Sequence, residues 1–298
     1  KYENIEFILI KKLTNKEVLI MEKKIRVTLP KNIIKILESD CETFKVTKNY
    51  LLNYIFENMR EEKLSDDTIF DGEKDIIQFN LNKSNFKIYY DFLCEKNIQI
   101  EADFFRKLLY KYTNQSRKNR ELFIFKSVIE RLEIGIKEKR KVKIHFNDKR
   151  EVTILPFFIG SSKLELANYL FCYDFLENKY RNYHIYNIDT VFVTREVQDW
   201  KDMEFVEKVI LNFDPFLSQD KKIKAILTPE GEKILNLLKI NRPEIISKNN
   251  ELYEFQCSEE KAKRYFAYFL DEIEILEPES LREWFKIKYS NAYKKYNS

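Results

Sequence analysis

The chain is poor in glycine, cysteine and histidine, with 4 Gly, 4 Cys and 2 His among 298 residues. So few glycines leave no GxGxxG or GxxxxGK[ST] motif, which excludes the common phosphate-cradling loops. The cysteines form no CxxC pair and lie at Cys41, Cys94, Cys172 and Cys257. His145 and His184 are the only histidines, so no zinc-type ligand cluster is spaced along the chain. We therefore expect four buried, reduced thiols, no metal and no cofactor.

Long apolar runs are also missing, since none approaches the roughly 20 residues that span a bilayer. The first residues, KYENIEFILIKK, do not have the form of a signal peptide. We therefore expect a cytoplasmic protein with no membrane partner. Lys and Arg number 53 against 49 Asp and Glu, and a net charge of +4 does not by itself indicate a polyanionic partner. No nucleophile–base pair stands out, so we expect no enzymatic activity.

Apolar and aromatic residues are plentiful, with 44% hydrophobic residues, 24 Phe and 18 Tyr. This composition supports well-packed cores, and the length suits two or three domains. Within 1–23 the runs IEFILI and EVLI form either a small strand pair or a plain extension. We predict an N-terminal extension over 1–23, a duplicated domain over 24–115, a linker helix over 116–140, a strand-rich core over 141–200 and a C-terminal α+β extension over 201–298 that forms a dimer.

A strand–helix–helix unit occurs twice. Residues 24–30 alternate strictly, with Ile25, Val27 and Leu29 on one face, and two amphipathic helices follow, the second capped by Thr47. The pattern recurs at an offset of 52 residues, which maps Ile25 onto Ile77. A lone strand would leave its backbone unpaired. We therefore expect the two strands to pair antiparallel over one helical core.

This unit resembles the ribbon-helix-helix fold, with both halves in one chain as a pseudo-dimer. In that fold the ribbon enters the DNA major groove, where Arg suits guanine and Gln or Asn suits adenine. The alternative is the solvated face of a purely structural module. The outward-facing candidates for base contacts are Arg26, Thr28, Gln78 and Asn80.

A basic polar segment, YKYTNQSRKNR, occupies 110–120 and is followed by an amphipathic helix. It is either a solvated hinge or a helix end placed near phosphates. Three β-type blocks then lie between Thr153 and Val193: TILPFFIG, NYLFCYDF and KYRNYHIYNIDTVFV. Short strands separated by polar turns predict a small barrel that closes its own edges.

These blocks resemble the core of a WYL domain, a barrel similar to the Sm fold. The matching residues are Pro156, the Tyr169-Leu170 pair, Arg181, Tyr183, Ile185 and Ile188. Asn168 stands where that family usually has tryptophan, while His184 and Asn187 replace basic residues and Tyr186 an acidic one.

The resemblance implies a pocket for a ligand or a nucleic acid. Arg181 would be the pocket cation, Tyr169 and Tyr183 the stacking faces and His184 a polar contact. Rings beside a cation suit single-stranded bases and their phosphates. The alternative for the tyrosines is ordinary core packing, and for His184 a satisfied histidine.

The C-terminal part alternates strands and helices in the order βαββαβ, with a further helix, which suits a ferredoxin-like α+β layer. It carries LTPEG at 227–231, RP at 242–243 and EILEP at 274–278. With the other two parts, it resembles the WYL accessory proteins of RNA-targeting type VI CRISPR systems. That resemblance implies single-stranded RNA binding, stimulation of an RNA-guided nuclease and a homodimer. The alternative is a transcriptional regulator that senses a ligand or a single strand and binds duplex DNA through the ribbon.

Overall fold

The computed structural model describes residues 23–64, 71–162, 166–211 and 213–297. The chain has a mixed α+β architecture with several sheets, and it divides into two units, Lys1–Asn114 and Gln115–Ser298. The expected strand pair within 1–23 lies outside the described residues. Among the described helices, none combines the length and the apolar character that crossing a bilayer requires.

In the first unit, two strands and four helices share one core. The elements are β1 (Lys24–Pro30), α1 (Lys31–Phe44), α2 (Lys48–Met59), β2 (Lys74–Asn80), α3 (Lys83–Glu95) and α4 (Glu101–Thr113). The strands pair antiparallel, as expected, with Arg26 directly opposite Gln78. Their inward residues are buried against helices that bring together Phe56, Tyr89 and Phe105. Thr47 caps α2 as predicted, because its hydroxyl accepts a hydrogen bond from the Tyr50 N–H at 3.2 Å.

Buried asparagines join the two halves of this unit. Asn53 on α2 donates to the Asn80 carbonyl at 2.9 Å and accepts from the Asn82 N–H at 2.8 Å. The Asn85 amide donates to the Asn53 side-chain oxygen at 3.0 Å. Because buried polar groups need partners, this network fixes α2 against the junction of β2 and α3.

In the second unit, a five-stranded sheet lies between helices. The elements are α5 (Arg117–Ile124), α6 (Lys126–Lys137), β3 (Arg140–Phe146), β4 (Glu151–Ser161), β5 (Asn168–Asp174), β6 (Lys179–His184), β7 (Ile188–Val197) and α7 (Met203–Leu211). Val128 and Leu132 of α6 pack on the face that carries Val142 and Ile144. Val206 and Val209 of α7 pack with Phe171 on the other face.

The expectation of a closed barrel is wrong for the described residues. The strand order is β6-β5-β4-β3-β7, so β6 and β7 are edges and do not pair with each other. The sequence 180–194 was expected to continue as strand, but a 3₁₀ turn, Ile185–Asn187, interrupts it and turns the chain toward β3. Helices pack on both faces of this sheet, and neither edge pairs with a further strand of the described residues.

The rest of the second unit is a four-stranded antiparallel sheet with helices. The elements are β8 (Lys222–Leu227), α8 (Pro229–Leu237), β9 (Glu244–Asn249), β10 (Leu252–Gln256), α9 (Glu259–Phe266), β11 (Ile273–Glu277) and α10 (Glu279–Tyr296). The strand order is β11-β8-β10-β9. Thr228 caps α8 by accepting a hydrogen bond from the Gly231 N–H at 3.1 Å, and Pro229 occupies the first turn, where a missing N–H costs little.

The cysteines are only partly as expected. All four are free thiols, but only Cys172 and Cys257 are buried. Cys41 is half-buried, and Cys94 is exposed, because it lies on the solvent side of α3 while Phe92 and Leu93 face the core.

We expect Asn53→Ala to destabilise the first unit by about 2–4 kcal/mol. The substitution leaves several buried polar groups without a hydrogen-bond partner, and each such group costs about 1–3 kcal/mol. Asn58→Ala is the matched control, since Asn58 is exposed and bonds only locally to the Tyr54 carbonyl. Urea unfolding followed by far-UV circular dichroism measures the change. Trp200 and Trp284 both lie in the second unit, so tryptophan fluorescence should not shift. Equal stability of the two variants would contradict the role of the network.

Candidate nucleic-acid interface

The pairing of β5 with β6 divides the four residues predicted for the WYL-like pocket. Tyr169 lies opposite His184, and Leu170 lies opposite Tyr183. Because successive side chains of a strand point to opposite faces, Tyr169 and His184 share one face of the sheet. Arg181 and Tyr183 belong to the other face, so the predicted set does not form one site.

Tyr183 is part of the core. It is 9% exposed, and its ring packs against Phe146 with 5.0 Å between centroids. Its hydroxyl donates to the buried Asp174 carboxylate, and the Arg150 guanidinium lies 5.7 Å from its ring centroid. Burial, together with the Asp174 hydrogen bond, raises the pKa of Tyr183 far above its ordinary value. The ring is therefore closed to a stacking base in this conformation.

Arg181 is half-exposed on the edge strand β6. Its guanidinium donates to the Glu177 carboxylate, which also pairs with Lys179 at 2.7 Å. Hydrogen bonds from these two cations lower the pKa of Glu177. The positive charge of Arg181 is thus partly compensated, and it lies away from Tyr169 and His184.

On the opposite face, three rings form a stack. The Tyr169 and His184 centroids are 4.2 Å apart with 38° between the planes, and the His184 and Tyr186 centroids are 4.7 Å apart with 32°. Tyr169 is buried, whereas His184 and Tyr186 are partly exposed. We call these residues the ring stack, and Tyr186 is its outer member.

A buried carboxylate lies beside the ring stack. Glu121 of α5 accepts two hydrogen bonds from Asn168, from the backbone N–H and from the side-chain amide, both at 2.9 Å. Asn168 also donates to the Lys118 carbonyl and accepts from Ser161. Burial raises the pKa of Glu121 to about 7, although the hydrogen bonds and Arg117 oppose the rise. Asn168 therefore attaches α5 to the start of β5.

Arg117 lies in the first turn of α5 and is partly exposed. Burial lowers the pKa of His184, and the charge of Arg117 lowers it further, which places the two side chains within electrostatic range. His184 is therefore mainly neutral near pH 7, with one ring nitrogen as donor and the other as acceptor. Within the described residues its Nδ1 is buried without a hydrogen-bond partner. The site thus combines three contacting rings and a nearby positive charge.

Sequence reasoning found Tyr169 and His184 but missed Tyr186, Arg117 and Glu121 as parts of the same surface. The basic segment at 110–120 includes Arg117 and indicated a positive charge near phosphates, but it did not indicate that Arg117 lies near His184. Glu121 looked like an ordinary helix residue, because its partner Asn168 is 47 positions away.

In the first unit, the outward face of the two-stranded ribbon carries all four predicted residues. Arg26, Thr28, Gln78 and Asn80 are exposed, while the alternate residues of both strands are mainly buried. Asn80 is tied at its backbone, where its N–H donates to Asn49 at 2.9 Å. The ribbon thus presents Arg26 and Gln78 side by side at its centre.

No protein-family model matches the chain, and no curated protein matches it. Among solved structures, the chain is similar to a protein described as a CRISPR Cas-related protein. The TM-score is 0.78 with 16% sequence identity, over 96% of this chain and 97% of that one. It also matches proteasome accessory factor B/C (PafBC) of Arthrobacter aurescens at a TM-score of 0.32 and 12% identity, over 96% of this chain and 52% of that one. The first similarity shows a shared fold, and the second is too weak to support an inference.

Glu121 predicts a pH dependence of stability. Its pKa of about 7 exceeds the ordinary value of 4.5, so the folded state keeps a proton that the unfolded state loses between these pH values. The free energy of unfolding therefore falls as pH rises through this window, and Glu121→Gln removes the fall. His184 acts in the opposite sense, since its lowered pKa adds stability as pH rises toward 6.5.

We expect the free energy of unfolding of Glu121→Gln, minus that of the wild type, to rise by about 2–3 kcal/mol between pH 5 and pH 8. The size follows from about 1.36 kcal/mol for each unit of difference between the folded and unfolded pKa of Glu121. The comparison cancels His184, which both proteins contain. Urea unfolding followed by tryptophan fluorescence measures the second unit. Exposed Glu133→Gln is the control and should follow the wild type. If the free energies of unfolding of the wild type and of Glu121→Gln changed in parallel with pH, the raised pKa of Glu121 would be refuted.

Proposed function

We propose that the protein is a CRISPR-associated accessory protein that binds single-stranded RNA and stimulates an RNA-guided, RNA-targeting nuclease. The observation that carries this proposal is the likeness in fold, over almost the whole of both chains, to the CRISPR Cas-related protein. The motifs EILEP and LTPEG and the WYL-like strands agree with it in sequence. The proposed form is a homodimer without a cofactor or catalytic residues of its own, and it is cytoplasmic.

The architecture supports this proposal in three places. The antiparallel ribbon with two helices after each strand is the arrangement of a ribbon-helix-helix pseudo-dimer. The order β6-β5-β4-β3-β7, with α6 before it and a 3₁₀ turn before β7, suits an open Sm-like WYL core. The order β11-β8-β10-β9 suits a ferredoxin-like layer.

For the RNA we propose the ring stack and Arg117. An unpaired base stacks on the outer ring, Tyr186, while Arg117 faces a phosphate and neutral His184 offers a polar contact. Such stacking tolerates any base, because every base has a π face, and the cation tracks the backbone. Arg181 and Tyr183 are not part of this proposed contact.

We expect Tyr186→Ala to weaken single-stranded RNA binding by about 1–3 kcal/mol, the usual range for loss of one stacked base. Arg117→Ala should cost about 1.5–3 kcal/mol, as a hydrogen bond to a charged group. Arg181→Ala removes a cation from the same strand region but the opposite face, and it should change affinity by less than about 0.5 kcal/mol. Fluorescence anisotropy at one fixed salt concentration measures all three, because phosphate contacts make affinity salt-dependent. A larger loss in Arg181→Ala than in Arg117→Ala would favour the sequence-predicted site instead.

Stimulation is tested with a type VI CRISPR nuclease, its guide and a target RNA. The wild-type chain should raise the rate at which the nuclease cleaves RNA. At equal protein concentration, the Tyr186→Ala variant should raise that rate by less than the wild type does. An unchanged rate with the wild-type chain, despite tight RNA binding, would refute stimulation but not RNA binding.

A second candidate function is duplex DNA binding by a transcriptional regulator. The exposed row Arg26, Thr28, Gln78 and Asn80 on the ribbon favours it, because these side chains suit base edges in the major groove. The two functions use different units of the chain and can be separated by mutation.

Arg26→Ala combined with Gln78→Ala should abolish any preference for a specific duplex, at about 1–3 kcal/mol for each bidentate base contact. Single-stranded RNA binding should stay unchanged, because the ring stack lies in the other unit. The preference is measured by competition between the DNA duplex upstream of the protein's own gene and a DNA duplex of random sequence. Equal losses for duplex and single strand would indicate one shared surface and refute two separate ones.

A further inference from the structure

A cavity of about 610 Å³ opens beside α9 in the second unit. We call it the basic groove. Cations and aromatic rings dominate its lining, namely Lys261, Lys263, Arg264, Phe216, Tyr265 and Tyr268. Neither the sequence patterns nor the fold likeness pointed to it.

The position of α9 explains why these side chains meet. Ala262, Phe266 and Phe269 bury the other side of α9 and of the following 3₁₀ turn in the core beneath the four-stranded sheet. Lys261 and Arg264 lie three positions apart on α9, so they share one side of the helix. That side forms a wall of the basic groove.

The rings of the groove differ in availability. Tyr265 is buried, and its hydroxyl donates to the Leu238 carbonyl at 2.6 Å, so it forms the floor. Tyr268 is 75% exposed and can receive a planar ligand. The Arg264 guanidinium carbon lies 4.8 Å from the Phe216 ring centroid, and this contact holds the charge at the rim. The Lys261 ammonium pairs with Asp214 at 3.5 Å, so its charge is partly compensated.

A short segment connects the groove to the ring stack. Phe213 packs near Tyr169, with 6.4 Å between centroids, and Phe216 lines the groove. Between them, the Pro215 carbonyl accepts a hydrogen bond from the Asn182 side chain of β6 at 3.0 Å. Four consecutive residues therefore span from the buried end of the ring stack, at Tyr169, to the groove.

We propose that the basic groove binds a second stretch of the single-stranded nucleic acid whose first stretch lies on the ring stack. This inference rests on the proposed RNA binding and adds a second contact region to it. One base stacks on Tyr268, and Arg264 faces the phosphates beside it. An exposed ring next to a cation is the combination that single-strand-binding proteins use.

The test compares labelled single-stranded RNA oligomers from about 4 to about 16 nucleotides, the span of known site sizes. Tyr268→Ala and Arg264→Gln are the groove variants. Tyr293→Ala, at a tyrosine 72% exposed on α10, and Arg195→Gln, at an exposed arginine on β7, are the matched controls. We expect the groove variants to bind the shortest oligomers like the wild type and the longest about five-fold or more weakly, as loss of one stacked base implies. Arg264→Gln should also reduce the slope of log affinity against log salt by about 0.7, the value for one phosphate of a single strand.

Three results would overturn the inference. If the groove variants match their controls at every length, the groove does not contact RNA, and the proposed function survives. If the groove variants lose affinity for short and long oligomers equally, the groove does not bind a second stretch of the RNA. If the wild type binds no single-stranded RNA at any length, the proposed function fails and the inference fails with it.

Discussion

The carboxylate of Glu121 is buried and depends on Asn168 for hydrogen bonds, and the candidate RNA surface depends on that contact. A buried carboxylate without donors would be strongly unfavourable, so α5 has to lie where the start of β5 can supply them. This placement brings Arg117 into range of His184. A tryptophan at position 168 would offer one ring N–H in place of the side-chain amide and would need room for its ring. Asn168 is therefore coupled to Glu121, a partner that no local sequence pattern reveals.

The alternation of side chains along β6 explains why the residues predicted for one pocket lie on two faces of the sheet. The WYL resemblance grouped Arg181, Tyr183 and His184 with Tyr169. In a strand, neighbours point to opposite faces, so Tyr183 enters the core while His184 joins Tyr169. The pattern shows that a strand exists, but which face is covered depends on α6 and α7, whose packing is a tertiary property.

The first unit shows the opposite case, in which the sequence carried most of the information. A repeat offset of 52 residues makes Arg26 equivalent to Gln78, and these two residues face each other across the ribbon. In an antiparallel pair, equivalent residues can face each other only at a local two-fold axis, and in this ribbon the axis passes between Arg26 and Gln78. The Asn53 network was invisible in the sequence, because asparagines are usually surface residues and its contacts join positions about 30 residues apart.

Aromatic content alone did not indicate where a base could bind, because most rings of the second unit are used in packing. Tyr180 donates to Asp202 and accepts from the Trp200 indole N–H, both at 2.9 Å, so the polar atoms of these residues pair with one another. Their rings pack with residues of α7 and hold that helix to the sheet. Phe213 can lie flat on the sheet beside Tyr169 only because position 160 is glycine, where a Cβ would approach the Phe213 ring within 2.6 Å. Tyr186 and Tyr268 are different, since Tyr186 is partly exposed and Tyr268 strongly exposed, each near an arginine-bearing helix. A ring is available to a ligand where the fold leaves a face uncovered and supplies a cation next to it, and in this unit those two conditions meet at the ring stack and at the basic groove.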